Sequence, residues 1–187
     1  MPILGIIASS ISGNLDAGDF ESIATVSVGS GGSSTITFSS IPATFTHLQV
    51  RGIVRSSLAS TAAGFIMRVN SDSGSNYSAH NLGGDGSSTQ ANAYVSNTYM
   101  YPGPAMPAAS TTASIFGTMV IDLLDYANTN KYKTMRALSG YDSNGSGQIY
   151  FNSASWRNTN AITNLSLLFT SSDCVQYSQF ALYGIRT

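Results

Sequence analysis

Glu21 is the only glutamate, and Lys131 and Lys133 the only lysines, in a chain of 187 residues. An exposed helical face is normally written with Glu and Lys, which are strong helix formers and pair across a turn, and none can be written here. Ser, Thr, Asn and Gly take their place, 79 residues in all, and these suit turns and the outward positions of strands. Helical bundles and α/β enzymes drop out on this ground. So much Ser and Gly could also mean disorder. Against that, 42% of the residues are hydrophobic and 10% aromatic, in spaced runs that can supply a core for one domain.

From Phe20 onward, short β-branched and aromatic runs alternate with Gly, Ser, Asn, Asp and Pro clusters, which predicts an all-β, jelly-roll-like antiparallel sandwich. Period-2 alternation marks 21–28 and 34–41, with Val26, Val28, Ile36 and Phe38 inward, and the Gly-rich linker 29–33 suggests a hairpin between them. In 46–56, Leu48, Val50 and Val54 face in, against His47, Gln49, Arg51 and Arg55; in 64–70, Phe65, Met67 and Val69 do. The most apolar stretch, 113–126, is long enough for a helix, but Gly117, Thr118, Val120 and Ile121 favour a strand. Strands at 132–141 and 147–156 flank Asn144-Gly145, the strongest short hairpin signal. Strands at 162–170 and 179–186 close the domain, with Leu165, Leu167, Phe169, Phe180 and Leu182 inward.

Two segments break this pattern. Residues 1–19 read as an arm outside the domain that fills 20–187. Residues 71–112, rich in Gly, Ser, Asn, Ala and Tyr and holding Pro102, Pro104 and Pro107, read as a long loop or an excursion with one or two edge strands.

Charge and cysteine content narrow the function. A net charge of −1 offers no basic field for a nucleic-acid backbone. Cys174 is the only cysteine, so no intrachain disulfide and no multi-cysteine zinc site can form. The apolar start has no preceding basic residue and is too short to span a bilayer, so neither a signal peptide nor membrane insertion is expected.

No motif carries a convincing chemistry. Glycines 29, 31 and 32 lack the following Gly-Lys-Ser/Thr and helix of a phosphate loop. Asp142-Ser-Asn-Gly-Ser-Gly147 resembles a calcium loop, but Ser153 stands where its closing glutamate belongs. His47 and His80 are the only histidines, with no Gly-x-Ser-x-Gly elbow. Asp122 and Asp125, three apart on one strand, point to opposite faces unless a bulge intervenes. The expectation is a protein with no catalytic residues, no metal and no cofactor.

The candidates for contact are of two kinds. Tyr77, Tyr94, Tyr99 and Tyr101, with His80, sit among Asn, Ser and Gly in the excursion. That mix suits adhesive surfaces, since Tyr gives rigid amphipathic area while small polar residues adapt. Subunit contact, local packing and recognition of a ligand such as a host surface glycan are the three readings of these tyrosines. Ile3, Leu4, Ile6 and Ile7 would each cost roughly 1.5–3 kcal/mol if left in water. They are expected to dock, either on their own domain or by strand addition to a neighbouring subunit as an assembly anchor.

Met1-Pro-Ile-Leu-Gly-Ile-Ile-Ala-Ser-Ser10, Phe20-Glu-Ser-Ile-Ala-Thr25, Ser34-Thr-Ile-Thr-Phe-Ser-Ser-Ile-Pro42, Thr46-His-Leu-Gln-Val-Arg51, Ile121-Asp-Leu-Leu-Asp-Tyr-Ala-Asn-Thr-Asn-Lys-Tyr-Lys133 and Gln179-Phe-Ala-Leu-Tyr-Gly-Ile185 resemble a group of small virion proteins of tailed bacteriophages. The group is loosely described as minor tail, tail-fibre or head-associated. The resemblance implies a virion structural protein assembled in the host cytoplasm, with itself and other virion proteins as partners, and a trimer by analogy with other virion jelly rolls. A tail-associated appendage is the first expectation and a capsid decoration protein bound to the major capsid lattice the second. Arm and tyrosines on one contact face would favour decoration; placement at opposite ends would favour the appendage.

Overall fold

The computed structural model describes residues 19–186, and among them there are twelve strands and no helix. In chain order these are β1 (Phe20–Ser27), β2 (Ile36–Phe38), β3 (His47–Val54), β4 (Ala62–Val69), β5 (Tyr77–Gly84), β6 (Thr89–Asn97), β7 (Met100–Pro107), β8 (Gly117–Leu124), β9 (Lys133–Asp142), β10 (Gly147–Trp156), β11 (Leu165–Phe169) and β12 (Gln179–Ile185). They form two sheets of unequal width, β1-β12-β3-β8-β9-β10-β5-β6 and β2-β11-β4-β7, with every pairing antiparallel. When the hairpins β5–β6 and β9–β10 are set aside, the eight remaining strands, counted along the chain, lie in the orders 1-8-3-6 and 2-7-4-5. That is the double Greek key of a jelly roll. The two hairpins extend only the first sheet.

Alternation explains the core. Leu48, Val50, Val54, Met119, Ile121, Leu123, Phe180 and Leu182 point in from the large sheet, and Ile36, Phe38, Phe65, Met67, Val69, Leu165, Leu167 and Phe169 from the small one; all are buried. Phe65 ties the sheets together, edge-on to Phe169 at 4.8 Å within its own sheet and stacked on Phe180 of the other at 5.7 Å. Cys174 is buried in this core, and burial pushes its thiol up to about 12. The Asn144-Gly145 turn forms as expected, with both residues at positive φ (53° and 94°) and Ser143 N–H donating to Ser146 O at 2.6 Å.

Two expectations need correction and a third is narrowed. Strands β1 and β2 are not a hairpin: β1 pairs with β12 and β2 with β11, so the linker 29–33 carries the chain from one sheet to the other. Both strands alternate well, and alternation is equally served by two sheets facing one core. The segment 71–112 is not a long loop but the alternative, an excursion with edge strands, here β6 and β7. It holds the β5–β6 hairpin and then β7, whose prolines are tolerated because β7 is the outer edge of the small sheet and bulges against β4. Arg55 does not face solvent. It is buried, and its guanidinium donates to the carbonyls of Thr112, Ile115, Thr111 and Ala109 at 2.8–3.3 Å.

Lys133 behaves likewise, fully buried with its ammonium donating to the carbonyls of Asn128, Lys131 and Thr159. Two of the chain's few cations thus fasten loops instead of decorating the surface.

At the far end of the large sheet the buried Trp156 indole donates to Asp72 Oδ2 at 2.7 Å, and the Asp72 carboxylate also accepts from Asn76 Nδ2 and Gly74 N. The indole first, then these two donors, hold the Asp72 carboxyl below its ordinary 3.8; Lys131 does the same for Asp125. A carboxyl held down in the folded state binds fewer protons than in the unfolded chain, so the stability it contributes is present above the ordinary value and lost as pH falls through the folded one. Thermal melts should therefore be flat near neutrality and fall below about pH 4. Asp72→Ala, which orphans the buried indole N–H, should cost about 1–3 kcal/mol at pH 7 by denaturant unfolding, and much of that difference should vanish in acid.

Candidate contact surface

The outer face of the large sheet is zoned by cross-strand register. One lateral row reads Arg51, Val120, Leu138, Phe151, Leu82 and Ala91 across β3, β8, β9, β10, β5 and β6. The adjoining row adds Ile53 on β3 and Ile149 on β10. Leu82, Leu138, Ile149 and Phe151 are each more than half exposed, so they form an apolar stripe on a face that solvent should favour as polar. Two contiguous grooves of about 620 and 300 Å³ run along it, sharing Thr118, Met119 and Val120. Gly84, Gly140 and Gly147 line the larger one.

On the other side of the stripe the face turns polar. Asp122 accepts from Gln49 Nε2 at 2.8 Å and from Arg136 Nε at 3.1 Å, and Arg51 donates to Gln49 Oε1 at 2.8 Å. Asp125 lies just past the end of β8 at positive φ (50°) and pairs with Lys131 at 2.5 Å. His47 Nδ1 accepts the Asp125 backbone N–H at 3.0 Å. The two aspartates are thus held by different cations, Asp122 by Arg136 and Asp125 by Lys131. No group of three or more His, Cys, Asp or Glu side chains is placed to hold a metal among the described residues.

The structure brings three of the five excursion candidates together. Tyr94 packs edge-on against Tyr101 with ring centres 5.9 Å apart, and Tyr99 lies 5.8 Å from Tyr101 on the other side. All three are half-buried. Tyr101 lies over Gly64, where any side chain would collide with its phenol, and burial pushes its hydroxyl up. Nearby, Tyr150 covers Gly83 and donates to Gln90 at 2.9 Å, while Asn152 donates to Pro102 O and Asn92 to Asn81. These groups fill the space under the part of the large sheet that extends beyond the small one.

Tyr77 is a core residue, fully buried, with its hydroxyl donating to Asp72 O at 2.9 Å and accepting from Val69 N at 3.3 Å. It cannot touch a partner. Its inward position follows from alternation in β5, which reading 71–112 as a loop had hidden. His80 points outward from β5, opposite Ser153 and Ala93 in the polar zone, apart from the tyrosines. Ile3, Leu4, Ile6 and Ile7 lie outside the described residues.

Strand β6 is one of the two edges of the large sheet, opposite β1; it is exposed along its length except at Tyr94 and Asn97, and its nine residues carry no charge. Val95 is 78% exposed. Edge strands are ordinarily blunted by Lys, Pro or short length because their unpaired backbone invites another strand; this one is long and uncharged. An edge strand within 71–112 is one of the two sequence readings of that segment; the stripe is not anticipated from sequence, although Met119-Val-Ile121 and Ile149-Tyr-Phe151 signal strands apolar on both faces.

Compared with protein-family models, with curated proteins and with solved structures, the chain matches none.

Removing the central ring should loosen this corner alone. Tyr101→Ala should cost about 2–4 kcal/mol in chemical unfolding and raise amide exchange in β6 and β7, while β1, β3 and β12 keep native protection.

Proposed function

We propose that the chain is a non-enzymatic structural protein of a tailed bacteriophage virion, a tail-associated fibre or appendage component that works by surface contact. The observation that carries the reading is the uncharged, exposed edge β6, backed by the half-buried Tyr94–Tyr101–Tyr99 cluster. An edge of this kind favours adding a strand from a neighbour, and its Asn, Gln, Ser and Tyr groups are those that recognise backbone amides and sugar hydroxyls. A neighbouring virion protein or a second copy is the first partner, and a host surface glycan the second.

The sequence resemblance to tailed-phage virion proteins supports the same reading, and jelly rolls are frequent in virion and lectin domains, a support by analogy. The Tyr94–Tyr101–Tyr99 corner beside the β6 edge, rigid aromatic area among small polar groups, favours the appendage over capsid decoration.

Counting copies of the chain on a protein gel of purified particles tests this. A few to tens per particle is expected; hundreds would replace the appendage by a capsid decoration protein, and none would overturn the virion assignment. Val95→Lys should leave the unfolding free energy within about 0.5 kcal/mol of the parent and reduce incorporation at least about tenfold, the effect of a charge placed on a pairing edge.

A further inference from the structure

We infer that the apolar stripe on the outer face of the large sheet is covered by the same stripe of a second copy, the two sheets packing face to face about a two-fold axis. The inference needs no virion, and it leaves β6, at the edge of the sheet, for the contact proposed above.

Area sets the kind of partner. Ile53, Leu82, Val120, Leu138, Ile149 and Phe151 leave between 38% and 59% of their surfaces exposed. At about 150–200 Å² per residue this comes to roughly 500 Å², the upper end of what a monomer leaves uncovered. An interface of standard size buries about 800 Å² on each partner, of which roughly 450–520 Å² is non-polar, inside a polar rim. The stripe supplies that apolar centre. A rim stands along one side of it, where Gln49 and Arg136 both donate to Asp122. A small ligand would leave most of this area in water.

Register shows why the partner is the same surface. One row places Val120, Leu138, Phe151 and Leu82 on β8, β9, β10 and β5, and the adjoining row places Thr118, Gly140, Ile149 and Gly84 on the same four strands. A ridge of large side chains therefore runs beside a row in which two of the four positions have no side chain. Thr118, Gly140 and Gly84 line the larger groove. A two-fold axis running across the strands, between the rows, lays the ridge of each copy on the trough of the other. Leu138 then sits over Gly140 and Leu82 over Gly84, and each contact recurs with the copies exchanged, as an isologous interface requires. Two sheets about 10 Å apart with nearly aligned strands are the ordinary packing of a sandwich. Charge does not oppose it. From β3 to β6 the two rows hold one charged residue, Arg51, and its guanidinium is turned toward the β1 edge, over the rings of Phe20 and Tyr183 at 5.1 and 5.4 Å.

Sedimentation equilibrium of the full chain between about 1 and about 100 μM tests this. A reversible dimer, twice the 19.6 kDa of one chain, is expected. Leu138→Lys, which puts a charge into the apolar centre at a position 51% exposed in the single copy, should weaken the dimer at least about tenfold while circular-dichroism melts stay near the parent's. Val95→Lys, on β6 and outside the stripe, should leave the dimer unchanged. A monomer at every concentration would overturn the inference, and so would a trimer or an assembly that Leu138→Lys leaves intact. Loss of the dimer through Val95→Lys alone would also overturn it, by moving the contact to the β6 edge. Ile149→Lys carries the same comparison should Leu138→Lys fail to fold.

Discussion

The rest of the molecule depends on a mismatch of widths, because four strands cannot cover the inner face of eight. The jelly-roll half of the large sheet has its full complement of apolar partners and buries a dry core between Phe65, Phe169 and Phe180. Beyond β8 the inner face of β9, β10, β5 and β6 extends past the small sheet. Only β7 and its neighbours are available to fill the space. This is where the polar interior collects, with Asn81 and Asn152 buried and Tyr94, Tyr99 and Tyr101 packed in one corner. The outer face of the same extension carries much of the apolar stripe. Each unusual feature of the surface thus traces back to two hairpins inserted on one side of an otherwise balanced sandwich.

Scarcity of charge has a different consequence inside. Arg55 and Lys133 are buried without a carboxylate in contact, yet neither is an isolated charge in an apolar medium. Each is solvated by three or four backbone carbonyls of the loops that it crosses. Carbonyl dipoles fixed by the fold replace the water these cations give up, and the cations in turn satisfy acceptors that irregular backbone would leave unpaired. With so few charges in the chain, spending two on loop closure leaves the faces to hydroxyls, amides and hydrocarbon.

The strands with one wet and one dry face were legible in the sequence. β2, β3, β11 and β12 alternate, as does β1 apart from its bulge at Ser22–Ala24, and the inward residues named for them are buried or half-buried; in β4 Phe65, Met67 and Val69 are buried as expected but so is Ile66 between them; the Asn144-Gly145 turn fixed β9 and β10. What failed was pairing. Val26 and Ile36 look identical whether their strands are neighbours or face each other across a core, so a Gly-rich linker was mistaken for a hairpin turn. In 71–112 edge strands were one of two readings and β5 was not distinguished, for another reason. β5 and β6 are built from Ala, Asn, Ser and Gly because they line a polar overhang, and residues of low β-propensity in a strand look like loop. Tyr77 shows the cost: its position in the alternation is clear only once β5 is recognised. Arg55 illustrates a limit of pattern itself, since its position past the end of β3 gives no hint of the four carbonyls waiting for it.

The pairing of β1 with β12 sets Phe20 beside Ile185 at one corner. The first described strand can therefore find its partner only once Gln179–Ile185 has been made. β12 is also the strand that lies between β1 and β3, so the large sheet stays split until the ribosome has released residue 185. A domain closed by a strand pairing so distant in sequence folds slowly for its size. Until then the edges of β1 and β3 that β12 covers are open to other copies nearby, which makes this seven-residue strand the step that separates a closed sheet from one prone to pair with its neighbours.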